Sequence, residues 1–190
     1  PDALSLAPPR RKPTKMADYP QPLVHPPRLF DGSEVIIRPI RPEDAAIEQE
    51  FVRGLSDDSR YNRFMGQLRE LAPRKLQYMT TIDYDQHMAL IATVQREGRE
   101  VEIGVARYVV TPGSESCEFA IAVDDAWQGT GVAGILMLEL MAVARSKGLK
   151  TMVGFVLSSN HKMLKFCHQL GFECHRELGE GDTISVVKNL

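Results

Sequence analysis

A glycine-rich segment is the part of this sequence whose residue types and spacing most directly suggest chemistry. Residues 118–134 read EFAIAVDDAWQGTGVAG. The alternation of apolar residues in its first half predicts a strand, and Thr130 opens a predicted helix. Glycines let the backbone approach a ligand closely, and the free N–H groups of a helix N-terminus attract anions. The segment therefore predicts a phosphate site, for which a pyrophosphate is well suited.

The same loop allows two other interpretations. Residues 129–134, GTGVAG, match the dinucleotide pattern G-x-G-x-x-G. A dinucleotide fold needs this turn directly after a parallel strand, with an acidic residue about 20 positions later to bind the ribose hydroxyls. Here residues 124–127 separate the strand from the loop, and the next predicted strand, 151–157, contains no Asp or Glu. These departures disfavour nicotinamide and flavin. The other alternative is a turn that only packs the helix on the sheet.

Glu118 is the candidate general base of this segment. Strand alternation places it on the same face as Ala120 and Ala122, whose small side chains leave room for a ligand. A carboxylate beside a ligand can remove a proton from a reacting group, directly or through water. Partial burial would raise the pKa of Glu118 toward the range that suits a general base. A solvated acid on an outer face is the alternative.

The elements that must position these residues follow from hydrophobic periodicity and turn residues. In chain order, the predicted elements are a strand at 34–38, helices beginning at Pro42, Asp57 and Pro73, strands at 88–94, 102–110 and 116–123, a helix at 130–147, a strand at 151–157, a helix at 161–170, and strands at 172–175 and 183–188. Short polar connections make the three central strands an antiparallel meander. This order predicts an α+β fold with a mixed sheet.

Length and composition bound the class of protein. The chain has 190 residues, a net charge of −2 and 43% hydrophobic residues, which suits one globular domain rather than two. The charge gives no broad cationic surface, which disfavours nucleic acid as a partner, and nothing in the composition suggests a membrane span. The three cysteines show no disulfide spacing and no signal peptide is recognisable, so we expect a cytoplasmic protein.

The N-terminal segment differs in composition from the rest of the chain. Residues 1–30 contain eight of the twelve prolines. This composition favours an extended segment over a packed element. We therefore predict a proline-rich linker or tail over residues 1–30 and one folded domain over residues 31–190. Because the chain starts without Met, we also expect it to be part of a longer polypeptide.

Several motifs resemble those of the GNAT superfamily of acyl-CoA-dependent N-acyltransferases. Residues 128–133, QGTGVA, fit the family signature Q/R-x-x-G-x-G/A. Residues 160–164, NHKML, and 170–172, LGF, are similar to the family's Asn that opens a helix ending in Leu-Gly-Phe. The resemblance covers the chain in order from residue 33 to its end. It implies a mostly antiparallel sheet of about six to seven strands with helices on both faces, and acetyl-CoA as the acyl donor without a metal.

A closer resemblance rests on three stretches, DGSEVIIRPIRPEDAAIEQEFVRGLSDDSRYNRF, IDYDQHMALIA and IGVARYV. They are similar to the acetyltransferase domain of bacterial protein lysine acetyltransferases that are joined to a domain resembling NDP-forming acyl-CoA synthetases. In such proteins the acetyltransferase domain can follow the synthetase-like part through a linker. The resemblance therefore implies a protein lysine as acceptor and an upstream synthetase-like domain.

The resemblance also assigns roles to individual residues. Glu118 matches the general base of the lysine acetyltransferase subgroup. Backbone N–H groups at the end of the same strand would bind the thioester oxygen and the pantetheine, and the glycine loop would bind the pyrophosphate. Asn160 would contact the coenzyme arm, a role compatible with that of a helix N-cap. The predicted coenzyme-binding residues are Ile121, Ala122, Val123, Gln128, Gly129, Thr130, Gly131, Val132, Ala133, Gly134, Asn160 and Met163.

Cys167 marks a departure from the family pattern. Many relatives carry a tyrosine four residues before the Gly of Leu-Gly-Phe, as an acid for the departing thiolate, and this chain has Cys167 there. A thiol with an ordinary pKa of about 8.5 could donate that proton. The candidate catalytic residues are therefore Glu118 and Cys167, and packing is the alternative role for the cysteine.

Two clusters of polar residues are assigned no chemistry. His161, Cys167-His168 and Cys174-His175 fall across a helix, a turn and a strand, whereas structural zinc ligands pair about two to four residues apart. The acids at 57–58 and the arginines that follow them, Arg60 and Arg63, are interpreted as an exposed helix start rather than an acceptor site.

Three functions are compatible with these features. The first is an N-acetyltransferase that moves an acetyl group from acetyl-CoA to a protein lysine, for example on an acyl-CoA synthetase. The second is an acetyltransferase for small amines, and the third is a non-catalytic domain that senses acetyl-CoA. Glu118 favours an enzyme over a sensor, and the resemblance to fused proteins favours a protein acceptor.

Overall fold

A computed structural model of the protein describes residues 18–27, 29, 32–176 and 181–190. Of the predicted linker over 1–30, residues 1–17, 28 and 30 lie outside the described residues. Residues 18–27 run beside the first strand of the sheet. There the Tyr19 hydroxyl donates to the Pro39 carbonyl at 3.0 Å, and His25 forms a β-bridge with Ile37. This part of the segment therefore contacts the folded domain.

The described residues form five α-helices, whose bounds are α1 (Ala45–Gly54), α2 (Asp57–Phe64), α3 (Pro73–Thr80), α4 (Val132–Ser146) and α5 (His161–Gln169). Local start signals explain where several of them begin. The Ser56 hydroxyl caps α2 by accepting from the N–H of Ser59 at 3.2 Å. Pro73 opens α3, at a position where a missing N–H costs nothing. Within the described part of the chain, no helix is both long and apolar enough to cross a membrane.

The strands form one seven-stranded sheet with the order β1-β2-β3-β4-β5-β7-β6. Their bounds are β1 (Ile36–Pro39), β2 (His87–Arg96), β3 (Arg99–Val110), β4 (Ser116–Val123), β5 (Thr151–Leu157), β6 (Glu173–His175) and β7 (Thr183–Asn189). Every neighbouring pair is antiparallel except β4 and β5, which are parallel. The predicted α+β fold with a mixed, mostly antiparallel sheet is confirmed.

Helices cover both faces of the sheet because successive side chains of a strand point to opposite faces. On β3, Ala106 and Tyr108 join an apolar core that includes Leu136 of α4. Val105, which directly precedes Ala106, joins a second core with Phe51 of α1 and other residues of α1 and α3. The prediction of helices on both faces is therefore also confirmed.

A β-bulge changes the face that the start of β3 presents. Gly104 pairs with Ala92, but Glu102 pairs with the next residue of β2, so that Ile103 is left over. An extra residue shifts the alternation by one. Glu102 is consequently buried on the α1 side of the sheet beside Glu48. Burial and the neighbouring Glu48 raise the pKa of Glu102 well above its ordinary value.

Candidate active site

The site begins where β4 and β5 separate. The two strands are paired only over 116–118 and 151–153, although they continue to Val123 and Leu157. A cavity of about 870 Å³ is lined by the later residues of both strands. Such a volume is typical of a site for a substrate or cofactor. Because the register stops at Glu118, backbone groups of 119–123 that face β5 have no partner on that strand and can bind an extended ligand.

Gly154 shapes the base of this opening. A Cβ at Gly154 would lie 2.4 Å from Cε1 of Phe119, so the ring of Phe119 occupies the space of a side chain on β5. The same ring packs against Phe172 with ring centroids 5.1 Å apart. The absence of a side chain at Gly154 on β5 therefore leaves room for the buried ring of Phe119 on β4 next to the place where the two strands diverge.

Replacing Gly154 by Ala is expected to destabilise the fold by about 1–3 kcal/mol, because overpacking a buried site forces side chains out of their rotamers. Chemical denaturation measures the change in the free energy of unfolding. The matched control is Gly54→Ala in α1, where a Cβ would meet nothing within 4 Å and helix propensity favours Ala. A second substitution, Phe119→Leu, should partly restore the Gly154→Ala variant. Equal stability of the Gly154→Ala and Gly54→Ala variants would contradict the packing account.

The glycine loop connects β4 to α4 on the open side of the cavity. Gly129 and Gly131 have φ values of +80° and +100°, which a side chain disfavours. Gly131 is the residue before the first turn of α4, so the first N–H groups of the helix have no acceptor within it. Gly129, Gly131, Ala133 and Gly134 all line the cavity. The loop therefore presents the positive end of the α4 dipole to any anion in the cavity.

The predicted coenzyme residues divide into two groups. Those that line the cavity are Ile121, Ala122, Val123, Gln128, Gly129, Gly131, Ala133, Gly134, Asn160 and Met163. Two others have a structural role: Thr130 donates from its hydroxyl to the Trp127 carbonyl at 2.7 Å, and Val132 is fully buried in the core. Asn160 also caps α5, since its Oδ1 accepts from the Met163 N–H at 3.1 Å. Their roles in binding the coenzyme stay predictions.

Glu118 lies at the last paired position of β4, on the α1 and α3 side of the sheet. Its neighbours along that face are Ala120 and Ala122, which line the cavity. Glu118 is half-buried, and its Oε1 is buried without a hydrogen-bond partner among the described residues. Burial raises the pKa of Glu118, and the positive charge of Arg63 partly opposes this rise. A carboxylate with a raised pKa and a free oxygen is a better proton acceptor than an ordinary glutamate.

The helix α2 supplies a wall of the cavity that the sequence does not indicate. Ser59, Asn62 and Arg63 line it, and Arg63 is buried at 7% exposure. The interpretation of this segment as an exposed helix start was wrong for Arg63, although Asp57 and the adjacent acid are exposed. A run of polar residues gives no apolar stripe, so the sequence offers no signal for this burial.

Asp125 ties α2 to the glycine loop. Its Oδ2 accepts from the backbone N–H of Ser56 at 2.8 Å, and its Oδ1 accepts from the hydroxyls of Ser56 at 3.0 Å and Ser59 at 2.7 Å. Nε2 of Gln128 donates to Oδ1 of Asp125 and to Oγ of Ser59, each at 3.3 Å. These bonds fix the start of α2 against the loop that precedes α4.

Cys167 lies in the apolar core and is fully buried. The cavity lining includes its neighbour Phe166 but not Cys167 itself. Burial raises the pKa of the Cys167 thiol to about 12. The role of Cys167 as a proton donor stays a prediction, and these facts favour the packing alternative, since a thiol with this pKa is a weaker acid than an ordinary thiol.

On the packing alternative, Cys167→Ala should leave kcat within about 3-fold of the wild type, because the departing thiolate needs no acid stronger than water. Steady-state kinetics with acetyl-CoA gives the ratio. Thermal denaturation of the same variant should show a lower melting temperature, because the substitution removes a buried sulfur atom. A loss of kcat greater than 100-fold with a near-normal melting temperature would instead support the proton-donor role.

Two further polar side chains of the cavity have no role predicted from the sequence. His161 and Lys162 line it at the start of α5, where they are exposed. The Lys162 ammonium gives this end of the cavity a positive charge that suits phosphate groups. Among the described residues, no group of three or more His, Cys, Asp or Glu is arranged to hold a metal ion.

Sequence comparisons identify relatives of the whole domain. The chain matches the family model for the acetyltransferase (GNAT) domain over residues 34–173. It is 36% identical over 162 residues to an acetyltransferase of Pseudomonas aeruginosa, covering 85% of this chain and 86% of that protein. It is also 28% identical over 153 residues to Acetyltransferase Pat of Mycolicibacterium smegmatis, covering 80% of this chain. The match spans 45% of the length of that second relative.

A structural comparison agrees with the sequence comparisons. The GNAT domain of PAT from S. lividans matches with a TM-score of 0.83 at 30% identity, covering 91% of this chain and 100% of that one. The resemblance stated from the motifs is therefore confirmed at the level of the family. The chain belongs to the GNAT family of acetyltransferases.

Proposed function

We propose that this domain transfers the acetyl group of acetyl-CoA to a protein lysine, with Glu118 as the general base. GNAT domains use acetyl-CoA. The observation that carries the proposal is the position of Glu118, an acid with a raised pKa and a buried, unpartnered Oε1, at the point where β4 and β5 diverge. Ala120 lines the cavity but Glu118 does not. A water molecule could therefore carry the proton from the amine to Glu118.

The coenzyme is proposed to lie across the opening between β4 and β5. The N–H groups at the start of α4 and the loop around Gln128 bind its pyrophosphate, because a helix N-terminus favours negative charge. The unpaired backbone of 121–123 binds the pantetheine and the thioester oxygen, as an added strand would. Asn160 and Met163 contact the arm from α5. This placement is supported because residues of all these segments line the same cavity.

The proposed chemical step needs only groups that the enzyme and its substrates supply. The lysine ammonium loses one proton to Glu118, directly or through water. The neutral nitrogen attacks the thioester carbonyl carbon, so that an N–C bond forms and the C–S bond breaks. The sulfur leaves as a thiolate with the electron pair of that bond and takes up a proton from solvent. The nitrogen loses its second proton, and Glu118 returns its proton to solvent.

The proposed acceptor class rests on the relatives and on the sequence motifs. Acetyltransferase Pat and the GNAT domain of PAT share 28% and 30% identity with this chain. The motifs resemble bacterial protein lysine acetyltransferases joined to synthetase-like domains. We therefore propose a lysine of an acyl-CoA synthetase as the acceptor, and an upstream synthetase-like domain joined through residues 1–30.

Incubation with acetyl-CoA and a purified acyl-CoA synthetase tests this proposal. Mass spectrometry of the synthetase should show acetylation of one or a few lysines well above a reaction without enzyme. The matched controls are a second protein of similar lysine content and a panel of small amines. Acetylation of small amines alone would move the function to the small-molecule alternative. Tight acetyl-CoA binding without any acetylation would indicate a sensor.

A further inference from the structure

Arg63 is a buried cation whose hydrogen-bonding capacity is not used by the rest of the described chain. It lies in the last turn of α2 and lines the cavity. Only 7% of the residue is exposed, and its Nη2 is buried without a hydrogen-bond partner among the described residues. Its guanidinium carbon lies 4.9 Å from the ring centroid of Phe64. Burying an unpartnered polar group costs about 1–3 kcal/mol, so its retention here suggests a role beyond folding.

The charged groups around Arg63 include more cations than anions. Arg107 is neutralised by Glu48, to which its Nη2 donates at 3.0 Å. Burial, Arg107 and Lys75 lower the pKa of His87 to about 3, so this histidine is neutral at pH 7. The charged and titratable groups that face this region are Arg63 of α2, Glu48 of α1, Lys75 and Tyr78 of α3, His87 of β2, Glu102 and Arg107 of β3, and Glu118 of β4.

Arg63 keeps its charge in this setting. Burial and the charge of Arg107 lower the pKa of Arg63 to about 10, while Glu48 and Glu118 oppose the decrease. The guanidinium is therefore protonated at pH 7. Because Glu48 already pairs with Arg107, the carboxylate that remains to face Arg63 is that of Glu118.

An ionised base beside a lysine has two opposing effects on the amine, and a nearby positive charge can offset the unfavourable one. An ionised Glu118 attracts the lysine ammonium and so stabilises the protonated, unreactive form of the amine. A fixed positive charge near the same nitrogen disfavours that form. We propose that the Arg63 guanidinium disfavours the ammonium form of the acceptor amine beside Glu118 and thereby promotes formation of the neutral nucleophile. This inference rests on the proposed function, lysine acetylation with Glu118 as the base.

The structure supports a fixed position for this cation. The first turn of α2 is tied to Asp125 by Ser56 and Ser59. The same helix carries Arg63 one to two turns later, where the side chain is enclosed rather than solvated. A guanidinium held in this way acts on a bound amine through a poorly solvated space, in which charge interactions are stronger than in water.

The pH dependence of kcat for a lysine peptide tests the inference, with Arg63→Gln and Arg63→Lys compared with the wild type. Arg63→Gln should shift the acidic limb of the kcat profile upward by about one pH unit. At pH 7 its kcat should be about 10-fold below the wild type, and the deficit should shrink as the pH rises. Arg63→Lys retains a positive charge and should keep most of the wild-type profile. Thermal denaturation of both variants establishes that they are folded.

A second acceptor separates the charge effect from a structural one. In a peptide whose lysine is replaced by S-(2-aminoethyl)cysteine, the sulfur makes the ammonium more acidic at nearly constant shape. The deficit caused by Arg63→Gln should therefore disappear at a lower pH with this peptide than with lysine. Equal losses with both peptides at every pH would overturn the inference, because a structural role, a hydrogen bond from Arg63 or an effect of Arg63 on the pKa of Glu118 alone predicts that result. Failure of the wild type to acetylate either peptide would instead remove the proposed function itself.

Discussion

Glu118→Gln is expected to lower kcat by about 100-fold or more, because an amide of the same shape cannot accept the proton of the acceptor amine. The lower bound follows from the usual contribution of general base catalysis. Binding of acetyl-CoA, measured by calorimetry, should stay within about 3-fold of the wild type, since Glu118 lies outside the cavity lining. The predicted signature is thus a loss of turnover with the coenzyme site intact.

A matched control distinguishes this role from a general effect of removing a negative charge. Glu115 is an exposed acid just before β4, outside the cavity lining. Glu115→Gln changes the net charge by the same amount and should leave kcat unchanged. If Glu118→Gln retained full activity, Glu118 would not be the base. If Glu118→Gln abolished acetyl-CoA binding as well, its role would be structural.

The pH profile gives a further test of Glu118 because the sign of its shift is defined. Burial raises the pKa of Glu118, and Arg63 limits the rise. A base must be deprotonated to act, so activity is present above this pKa and decreases as the pH falls through it. The acidic limb should therefore lie above the ordinary glutamate value of about 4.3. In Glu118→Gln the carboxylate is absent, so the pH profile of the residual activity should lose the part of the acidic limb that Glu118 causes.

Local features of the sequence were sufficient to predict most elements of the fold. The helices predicted to begin at Asp57 and Pro73 are α2 and α3, and their start signals, the Ser56 cap and Pro73 itself, act within a few residues. The loop around Gly131 was predictable for the same reason, since its positive φ is a local requirement. The alternation of β4 correctly placed Glu118 opposite Phe119, which lies in the α4 core.

Features that depend on distant segments were not predictable in this way. The point at which β4 and β5 diverge depends on how two strands more than 25 residues apart in sequence pair with each other. Neither strand contains a local signal for it. The bulge at Ile103 reverses the face of Glu102, and the adjacent Gly104 is only a weak local signal for a bulge. Arg63 is buried because α2 packs against β4, a tertiary contact that the polar run does not signal. The polar environment of Glu118 therefore could not be predicted from the sequence and is seen only in the structure.

The coenzyme loop yields the second large prediction. Gly134 lies in the first turn of α4 and lines the cavity, and a Cβ there would meet nothing within 4 Å. Gly134→Asp therefore adds a carboxylate to the proposed pyrophosphate site without a clash. Two negative groups about 8 Å apart repel by about 2 kcal/mol per pair of unit charges at an effective dielectric of 20. Acetyl-CoA should therefore bind at least about 30-fold more weakly, as measured by calorimetry.

The same substitution should affect folding and binding in opposite directions, which makes the prediction specific. A carboxylate in the first turn of a helix interacts favourably with the helix dipole, and replacing a helical glycine reduces the entropy cost of folding. Gly134→Asp should therefore unfold at an equal or higher temperature than the wild type while binding the coenzyme poorly. Gly134→Asn has the same shape without the charge and should lose much less affinity. Equal losses in the two variants would show that bulk rather than charge blocks the site, and unchanged binding in Gly134→Asp would move the pyrophosphate away from the N-terminus of α4.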